Sequence, residues 1–201
     1  MKKLFLVVLL AMVSTVTFAQ ISWNVQAGVN MSNLSNIEDS KMKFGYQVGV
    51  GMEYAIDDMW SIRPSLQFIT KGAKADYSEE GASVESSMNP MYLQLPVMAA
   101  AGFNISDNMK VVVKAGPYFA FGIGGKSKDS YSYEGVSQEE EYDIFGDDGA
   151  KRFDFGLGVG AALEFGKMFV GLDGLFGLTK MYDGDGAPKN TTIALSVGYK
   201  F

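Results

Sequence analysis

The chain has 201 residues, contains no cysteine and no histidine, and carries Lys+Arg 17 against Asp+Glu 23, for a formal net charge of −6. This composition excludes disulfide frameworks, zinc sites built from Cys or His, cysteine nucleophiles and Ser-His-Asp catalysis. An acidic chain without a basic stripe also predicts no nucleic-acid partner. Glycine is abundant (24), proline is scarce (5) and aromatic residues reach 13%. This balance favours many β-strands over a helical bundle or disorder.

Residues 1–19 have the pattern of a secretory signal peptide. Two lysines precede an apolar segment over 4–13, and Thr17 and Ala19 place small residues at the −3 and −1 positions of a cleavage site. The apolar segment is too short to span a bilayer as a helix. We therefore predict export, followed by one mature domain over 20–201 that is stable without disulfides.

Apolar residues alternate with small or polar ones along the mature chain. In 152–165 the odd positions from Phe153 to Phe165 are all apolar, and the even positions are glycine, alanine or charged. A helix would scatter these apolar residues around its circumference, whereas a strand places them on one face. The same alternation predicts eight strands, over 23–30, 44–54, 60–71, 91–103, 109–123, 152–165, 168–179 and 192–201. Three prolines fall inside them and predict bulges or strand ends: Pro64, Pro96 and Pro117.

The connections between these strands alternate in length. Short turns and long polar loops at opposite ends describe an up-and-down meander, with both termini on the side of the short turns. A hairpin hidden in a long loop would raise the number of strands to ten. The predicted short turns are 55–58, 104–108 and 166–167, and the predicted loops are 32–42, 72–90, 124–151 and 180–190.

The apolar stripe predicts a membrane barrel with its apolar face outward, rather than a soluble β-fold with that face inward. The strands are long enough to cross a bilayer when tilted, and the opposite face mixes charges of both signs with glycine. Aromatic residues cluster at the strand ends, as in interfacial girdles. They are Trp23, Tyr54, Trp60, Phe103, Phe165 and Phe201 near the turns, and Phe44, Tyr46, Phe68, Phe121 and Phe153 near the loops.

An ordered set of short motifs resembles the small outer-membrane β-barrel proteins of Gram-negative bacteria called porin-family or PorT-like proteins. The resemblance implies an all-β, eight-stranded antiparallel transmembrane barrel in the outer membrane, with both termini periplasmic. It also implies that Tyr199 and Phe201 form a C-terminal signal that the barrel-assembly machinery reads. The motifs are Arg63-Pro64 through Lys71-Gly72, Tyr92-Leu93-Gln94-Leu95-Pro96, Ala115-Gly116-Pro117-Tyr118, Arg152-Phe153-Asp154-Phe155-Gly156, and Leu195-Ser196-Val197-Gly198-Tyr199-Lys200-Phe201.

The inward face carries the candidate site, a polar network in the lumen. An eight-stranded barrel is narrow enough for its own side chains to fill, and buried charges are tolerated when they are paired. We therefore expect a paired polar core rather than a selectivity filter. Its predicted members are Glu53, Arg63, Lys114, Arg152, Asp154 and Glu164.

The sequence predicts no cofactor and no catalytic or metal site. The glycines of 156–160 imitate a dinucleotide-binding pattern, but they lie within a predicted strand and open no helix. The loop 124–151 is rich in carboxylates that could bind divalent cations, yet it lacks EF-hand spacing and is interpreted as a solvated acidic loop.

These observations leave three hypotheses for function. The first is a non-enzymatic scaffold whose four extracellular loops meet outer-membrane lipid, lipopolysaccharide or another surface partner and support envelope integrity. The second is a narrow porin-like channel for small solutes through the mixed-charge lumen. The third, weaker hypothesis is an accessory of an outer-membrane secretion or assembly complex.

Overall fold

The computed structural model describes residues 20–35, 40–79, 82–133, 136–145, 149–184 and 186–201. The predicted signal peptide therefore lies outside the described residues. Within them, no helix combines the length and the apolar character needed to cross a membrane. The strands are β1 (Ile21–Leu34), β2 (Ser40–Ala55), β3 (Trp60–Thr70), β4 (Ala73–Glu79), β5 (Ala82–Ser106), β6 (Met109–Tyr133), β7 (Val136–Asp143), β8 (Phe153–Phe165), β9 (Met168–Gly177) and β10 (Asn190–Lys200).

The antiparallel pairings close a ring of eight strand positions. β1 pairs with β2 on one side and with β10 on the other, from Asn24 opposite Lys200 to Leu34 opposite Asn190. The ring continues through β9, β8, β6 and β5, and returns to β2 through β3. β4 and β7 add no position to this ring. The predicted eight-stranded antiparallel barrel is confirmed, with ten strands among the residues that the structure describes.

β3 and β4 follow one another in a single position of the ring. Both lie between β2 and β5, and Gly72 between them has a φ of 155°, which residues with a side chain rarely adopt. A Cβ at Gly72 would also lie 2.1 Å from the carbonyl oxygen of Met88. Glycine therefore allows the chain to bend here without leaving the sheet.

The barrel is apolar outside and polar inside. On β8, Leu157 and Val159 are 49% and 51% exposed, whereas Asp154, Ala162 and Glu164 are buried. The outward face of a membrane barrel contacts lipid, so this alternation is the one the sequence predicts. Two predicted girdle residues, Tyr54 and Phe68, are only partly exposed. The predicted girdle residues that are exposed are Trp23, Trp60, Phe103, Phe165 and Phe201 at the end with the short turns, here called the turn end, and Phe44, Tyr46, Phe121 and Phe153 at the opposite loop end.

The predicted loops 72–90 and 124–151 are wrong as loops over most of their described length. β4, the first part of β5, the last part of β6 and β7 form a sheet that extends the barrel at the loop end. Above the apolar band both faces of a strand meet water, so the sequence loses the alternation that marks the strands below. We call β4, residues 82–88 of β5, residues 126–133 of β6 and β7 the loop-end sheet.

The prolines do not mark strand ends or register shifts, contrary to the sequence prediction. Pro64 lies opposite Val97 in the β3–β5 ladder, and Pro96 lies opposite Tyr118 in the β5–β6 ladder. The two register shifts of the β5–β6 ladder are elsewhere, at 91–92 and 104–106. Each proline instead lacks a partner in one of its two ladders, Pro64 toward β2, Pro96 toward β3 and Pro117 toward β5, and the register is the same on both sides of each gap.

Candidate functional site

Four charged side chains form a closed ion ring inside the turn end of the barrel. Arg63 contacts Glu53 at 2.5 Å and Glu164 at 2.7 Å, and Lys200 contacts the same carboxylates at 2.6 Å and 2.7 Å. The four side chains are 7% to 16% exposed. They come from β2, β3, β8 and β10, so the ring links strands across the lumen. Its two positive and two negative charges balance, as partly buried charges require.

A second ion pair lies beside the ion ring. The Lys114 ammonium on β6 is 2.8 Å from Asp173 Oδ1 and donates to Asp173 Oδ2 at 3.1 Å. Gly160 on β8 lies between these strands, and a Cβ there would be 2.1 Å from Asp173 Oδ1 and 3.0 Å from the Lys114 side chain. Glycine at this position provides the space that the ion pair occupies.

The lumen between the ion ring and the loop end holds a small polar cavity. Its volume is about 60 Å³, and its lining includes Gln47, Gln67 and Gln94. Gln94 is fully buried and Gln47 is 5% exposed. Both amide atoms of Gln94 and Oε1 of Gln47 accept or donate no hydrogen bond among the described residues. A cavity of this size has room for a few water molecules, which buried amides require as partners.

Asp154 is the centre of a buried cluster nearer the loop end, here called the Asp154 cluster. Its carboxylate accepts hydrogen bonds from Lys71 at 3.0 Å, Asn190 at 3.0 Å, Thr179 at 2.9 Å and Tyr118 at 3.3 Å. The side chains of Lys71 and Asp154 are 0% and 4% exposed.

Aromatic rings complete the surroundings of the Lys71 ammonium. It lies 4.6 Å from the ring centroid of Tyr118 and 5.1 Å from that of Tyr92, within the range of cation–π contacts. Tyr92 and Tyr118 are 1% and 0% exposed. Together with Asp154 they surround the cation inside the lumen.

An apolar cap closes the loop end above the Asp154 cluster. Ile144, Phe145 and Met181 are buried there, and the Phe145 ring meets Tyr92 edge-on at a centroid distance of 5.6 Å. Phe145 also lies over Gly122, where a Cβ would be 2.3 Å from the ring. Residues 144–145 and 181 therefore pack inside the mouth of the barrel.

The structure brings some of the predicted site residues together and separates others. Glu53, Arg63 and Glu164 meet in the ion ring, Lys114 pairs with Asp173, and Asp154 binds Lys71 at the other end of the lumen. Tyr199 and Phe201, the predicted assembly signal, are exposed on the outer surface at 45% and 63%.

Arg152 departs from the expectation of a lumenal charge. It is exposed at the mouth, where it donates hydrogen bonds to the carbonyl oxygens of Gly122 and Phe145, both at 2.9 Å. Its guanidinium also lies 5.3 Å from the centroid of the Phe145 ring. Because β8 begins at Phe153, the alternation of that strand does not govern residue 152. Arg152 thus holds the cap.

Sequence reasoning missed Lys71 and Lys200. The available signal was the alternation of their strands, which makes both positions inward-facing. Lys71 is two residues after Ile69, and Lys200 is two residues after Gly198. Their partner carboxylates are distant in sequence, with Glu53 separated from Lys200 by 147 positions. A cation at a strand end gave no local indication of these contacts.

The loop-end sheet carries most of the carboxylates of the predicted acidic loop. Glu141 binds Lys126 and, at 3.2 Å, Lys128, and these hydrogen bonds lower the pKa of its carboxyl. Asp129 lies directly opposite Glu140. No cluster of three or more potential metal ligands occurs among the described residues.

A closed antiparallel ring with an apolar exterior and a charged, cross-linked interior defines an integral outer-membrane β-barrel. The sequence profile of the family described as "Outer membrane protein beta-barrel domain" matches residues 18–183. The chain belongs to this family. No curated protein is similar enough in sequence to match it.

Several solved structures are similar to this chain. The attachment invasion locus protein Ail of Yersinia pestis has 17% identity and a TM-score of 0.41, over 90% of this chain and 98% of Ail. Neisserial surface protein A has 13% identity and a TM-score of 0.44, over 89% and 97%. The N-terminal barrel domain of OprF from Pseudomonas aeruginosa has 14% identity and a TM-score of 0.38, over 89% and 97%.

Proposed function

We propose that this protein is a non-conducting outer-membrane scaffold that holds the loop-end sheet at the cell surface as a binding platform. The observation that carries this proposal is the Asp154 cluster, in which Lys71, directly after β3, contacts Asp154 on β8 across the lumen with side chains 0% and 4% exposed. The cap above it and the ion ring below it support the same conclusion. A lumen occupied at three levels does not offer a path to hydrated solutes.

The placement of polar groups further supports a scaffold without catalysis. The lumenal carboxylates Glu53, Asp154, Glu164 and Asp173 are each held by at least one cation. A carboxylate held in an ion pair is not free to act as a general acid or base. We infer that the lumen stabilises the barrel.

The orientation in the membrane follows from the same proposal. The turn end, with Trp23, Phe201 and the short turns, faces the periplasm, and the loop-end sheet faces the exterior, where lipopolysaccharide and other surface molecules are available to it. The outward aromatic residues Tyr199 and Phe201 at the turn end would be read by the barrel-assembly machinery. Replacement of Phe201 by Ala is expected to lower the amount of folded barrel in the outer membrane without lowering export.

Conductance of the purified, refolded mature chain in a planar bilayer tests the scaffold proposal. We expect the wild type to give no current steps once folding is verified by the gel shift between unheated and boiled samples. A variant that opens the path, with Lys71→Ala, Asp154→Ala and Phe145→Ala combined, serves as the positive control and is expected to conduct. Reproducible steps from the wild type would contradict the proposal.

A narrow solute pathway is the second candidate, and the polar cavity favours it. The amide of Gln94 and Oε1 of Gln47, which have no hydrogen-bond partner among the described residues, line a space able to hold water between the ion ring and the Asp154 cluster. If this pathway conducts, neutralising Glu53 (Glu53→Gln) should change ion selectivity, whereas neutralising Arg152 at the mouth (Arg152→Gln) should change the entry of ions. Silence of all these proteins would argue for the scaffold.

A further inference from the structure

β7 offers an open strand edge in the loop-end sheet. Among the described strands it pairs with β6 alone, and every residue from 138 to 143 is exposed. The strand runs for 8 residues, which at ~3.3 Å per residue is about 26 Å of edge. Such an edge is long enough to bind another extended segment.

The hydrogen bonding of β7 to β6 fixes which backbone groups face this edge. The N–H of Ile144 donates to the carbonyl oxygen of Gly125 at 3.1 Å, so residues 142, 140 and 138 also bond to β6. In an antiparallel ladder the intervening residues point their N–H and C=O groups the other way. The backbone groups of Glu139, Glu141 and Asp143 are therefore the ones presented at the open edge.

The side chains of β7 determine what this edge can accept. Its sequence, VSQEEEYD, contains neither lysine nor proline, the residues that commonly prevent pairing at natural edges. The charged side chains of β7 are all carboxylates. Pairing with β7 of a second copy would bring carboxylates against carboxylates, which is unfavourable, whereas a basic segment would meet opposite charge.

One face of the β6–β7 ladder carries carboxylates and no lysine. Asp129 and Glu140 are directly opposite each other. Each accepts a hydrogen bond from a neutral hydroxyl: Ser86 donates to Asp129 at 2.6 Å and Tyr142 donates to Glu140 at 2.8 Å. The second of these hydrogen bonds raises the pKa of Tyr142. On the other face, Glu141 contacts Lys126 and Lys128, and Glu139 and Asp143 share that face with these lysines.

Two exposed tyrosines flank this carboxylate pair. Tyr131 and Tyr142 are 44% and 46% exposed, and they share a strand face with Asp129 and Glu140, respectively, because each is two residues away. Their rings can pack on the alkyl stem and charged group of a lysine or arginine. Carboxylates and tyrosines together favour a cation at every second position of a bound strand.

We propose that the open edge of β7 binds an extended peptide segment of a partner protein, with Lys or Arg at alternate positions, by adding it as a further strand. This inference rests on the proposed function, since it assumes that the loop-end sheet is presented at the surface. Backbone hydrogen bonds along β7 supply the affinity, and the face with Asp129 and Glu140 selects the basic side chains.

The test uses the refolded mature protein in lipid nanodiscs and a capped octapeptide of alternating Lys and Thr. Two further peptides carry N-methyl groups on either the Lys amides or the Thr amides, which leaves the charge of all three equal. Only one set of amides can face β7 in an added strand. We expect one methylated peptide to bind as the parent does and the other to bind at least about tenfold more weakly, a difference that a few lost hydrogen bonds can produce.

Two substitutions at one position separate the backbone from the charge. Glu139→Pro removes an N–H that faces the open edge but no hydrogen bond to β6, and Glu139→Gln removes the same charge while keeping that N–H. We expect Glu139→Pro to weaken binding of the Lys–Thr peptide about tenfold and Glu139→Gln only two- to threefold. The gel shift reports whether each variant is folded.

Several results would overturn the inference. They are no binding of the Lys–Thr peptide, equal affinities of the two methylated peptides, or equal effects of the two Glu139 variants. Failure of the scaffold proposal is distinguishable, because it is read from wild-type conductance. A conducting protein that still discriminates between the methylated peptides would keep the edge site and lose the scaffold.

Discussion

Disruption of the Asp154 cluster should destabilise the barrel, and the two partners should differ in cost. Lys71→Met leaves Asp154 with three neutral donors, from Tyr118, Thr179 and Asn190. Asp154→Asn instead leaves the fully buried Lys71 ammonium with tyrosine faces and a neutral amide. Removing one partner of a buried pair costs roughly 3–5 kcal/mol. We expect Lys71→Met near the lower end of this range and Asp154→Asn near the upper end.

The double variant tests whether these costs share one interaction. With both charges removed, neither is left unpaired, so Lys71→Met/Asp154→Asn should cost less than the sum of the single substitutions. Residues in one buried network typically show coupling free energies of roughly 0.5–3 kcal/mol. The expected coupling is in the upper part of that range, since the pair is almost completely buried.

Urea unfolding in lipid vesicles measures these free energies, with fluorescence of Trp23 and Trp60 at the turn end as the signal. Lys128→Met is the matched control, because it removes one lysine from an ion pair whose side chains are 55% and 36% exposed, and it should leave the unfolding midpoint unchanged. Additive single substitutions, or a Lys71→Met midpoint equal to that of Lys128→Met, would refute the reasoning.

Three further predictions concern other parts of the barrel. Gly160→Val should displace the Lys114–Asp173 pair that lies against Gly160 and lower the urea midpoint, whereas Gly166→Ala, in an open turn, should lower it less. Phe145→Ala should remove the cap and increase the accessibility of the lumen to water, measured by faster hydrogen exchange of the surrounding strands, with no increase for Phe119→Ala on the outer face. Asp57 accepts hydrogen bonds from the backbone N–H groups of Trp60 and Met59, which lower the pKa of its carboxyl. The stabilising effect of this carboxylate is therefore present above the pKa that Asp57 has in the unfolded chain, and it is lost as pH falls through the pKa in the folded protein. Asp57→Asn should thus make the free energy of unfolding less dependent on pH on the acid side.

The outer surface of the barrel could be predicted from sequence because lipid imposes a strict rule on it. Every outward position between the girdles must be apolar, so Leu157 and Val159 appear at every second position of β8. The extension of β6 beyond residue 125 obeys no such rule, since water surrounds both of its faces. Sequence reasoning therefore placed a loop there, although the chain continues to pair.

The sequence predicted that the lumenal charges would be paired, but not which residues would pair with each other. The inward phase of the strands identified Glu53, Arg63 and Glu164, but which cation meets which carboxylate depends on the strand order and stagger around the ring. Lys200 bridges Glu53 and Glu164 because β10 closes against β1 next to β2. These strands become neighbours only when the barrel closes, so the contacts of Lys200 have no local sequence signal.

The lumenal ion pairs give the barrel a means of fixing its register that lipid contacts do not supply. A shift of one residue between strands would turn charged side chains toward lipid, whereas a shift of two residues keeps every side chain on its proper face. A two-residue shift changes the contacts of apolar side chains with lipid very little. At ~3.3 Å per residue, however, a two-residue shift of β10 would move Lys200 by about 6.6 Å, which exceeds its contacts of 2.6 Å and 2.7 Å with Glu53 and Glu164. The ion ring near the turn end and the Asp154 cluster near the loop end thus favour the same single strand register when the barrel closes.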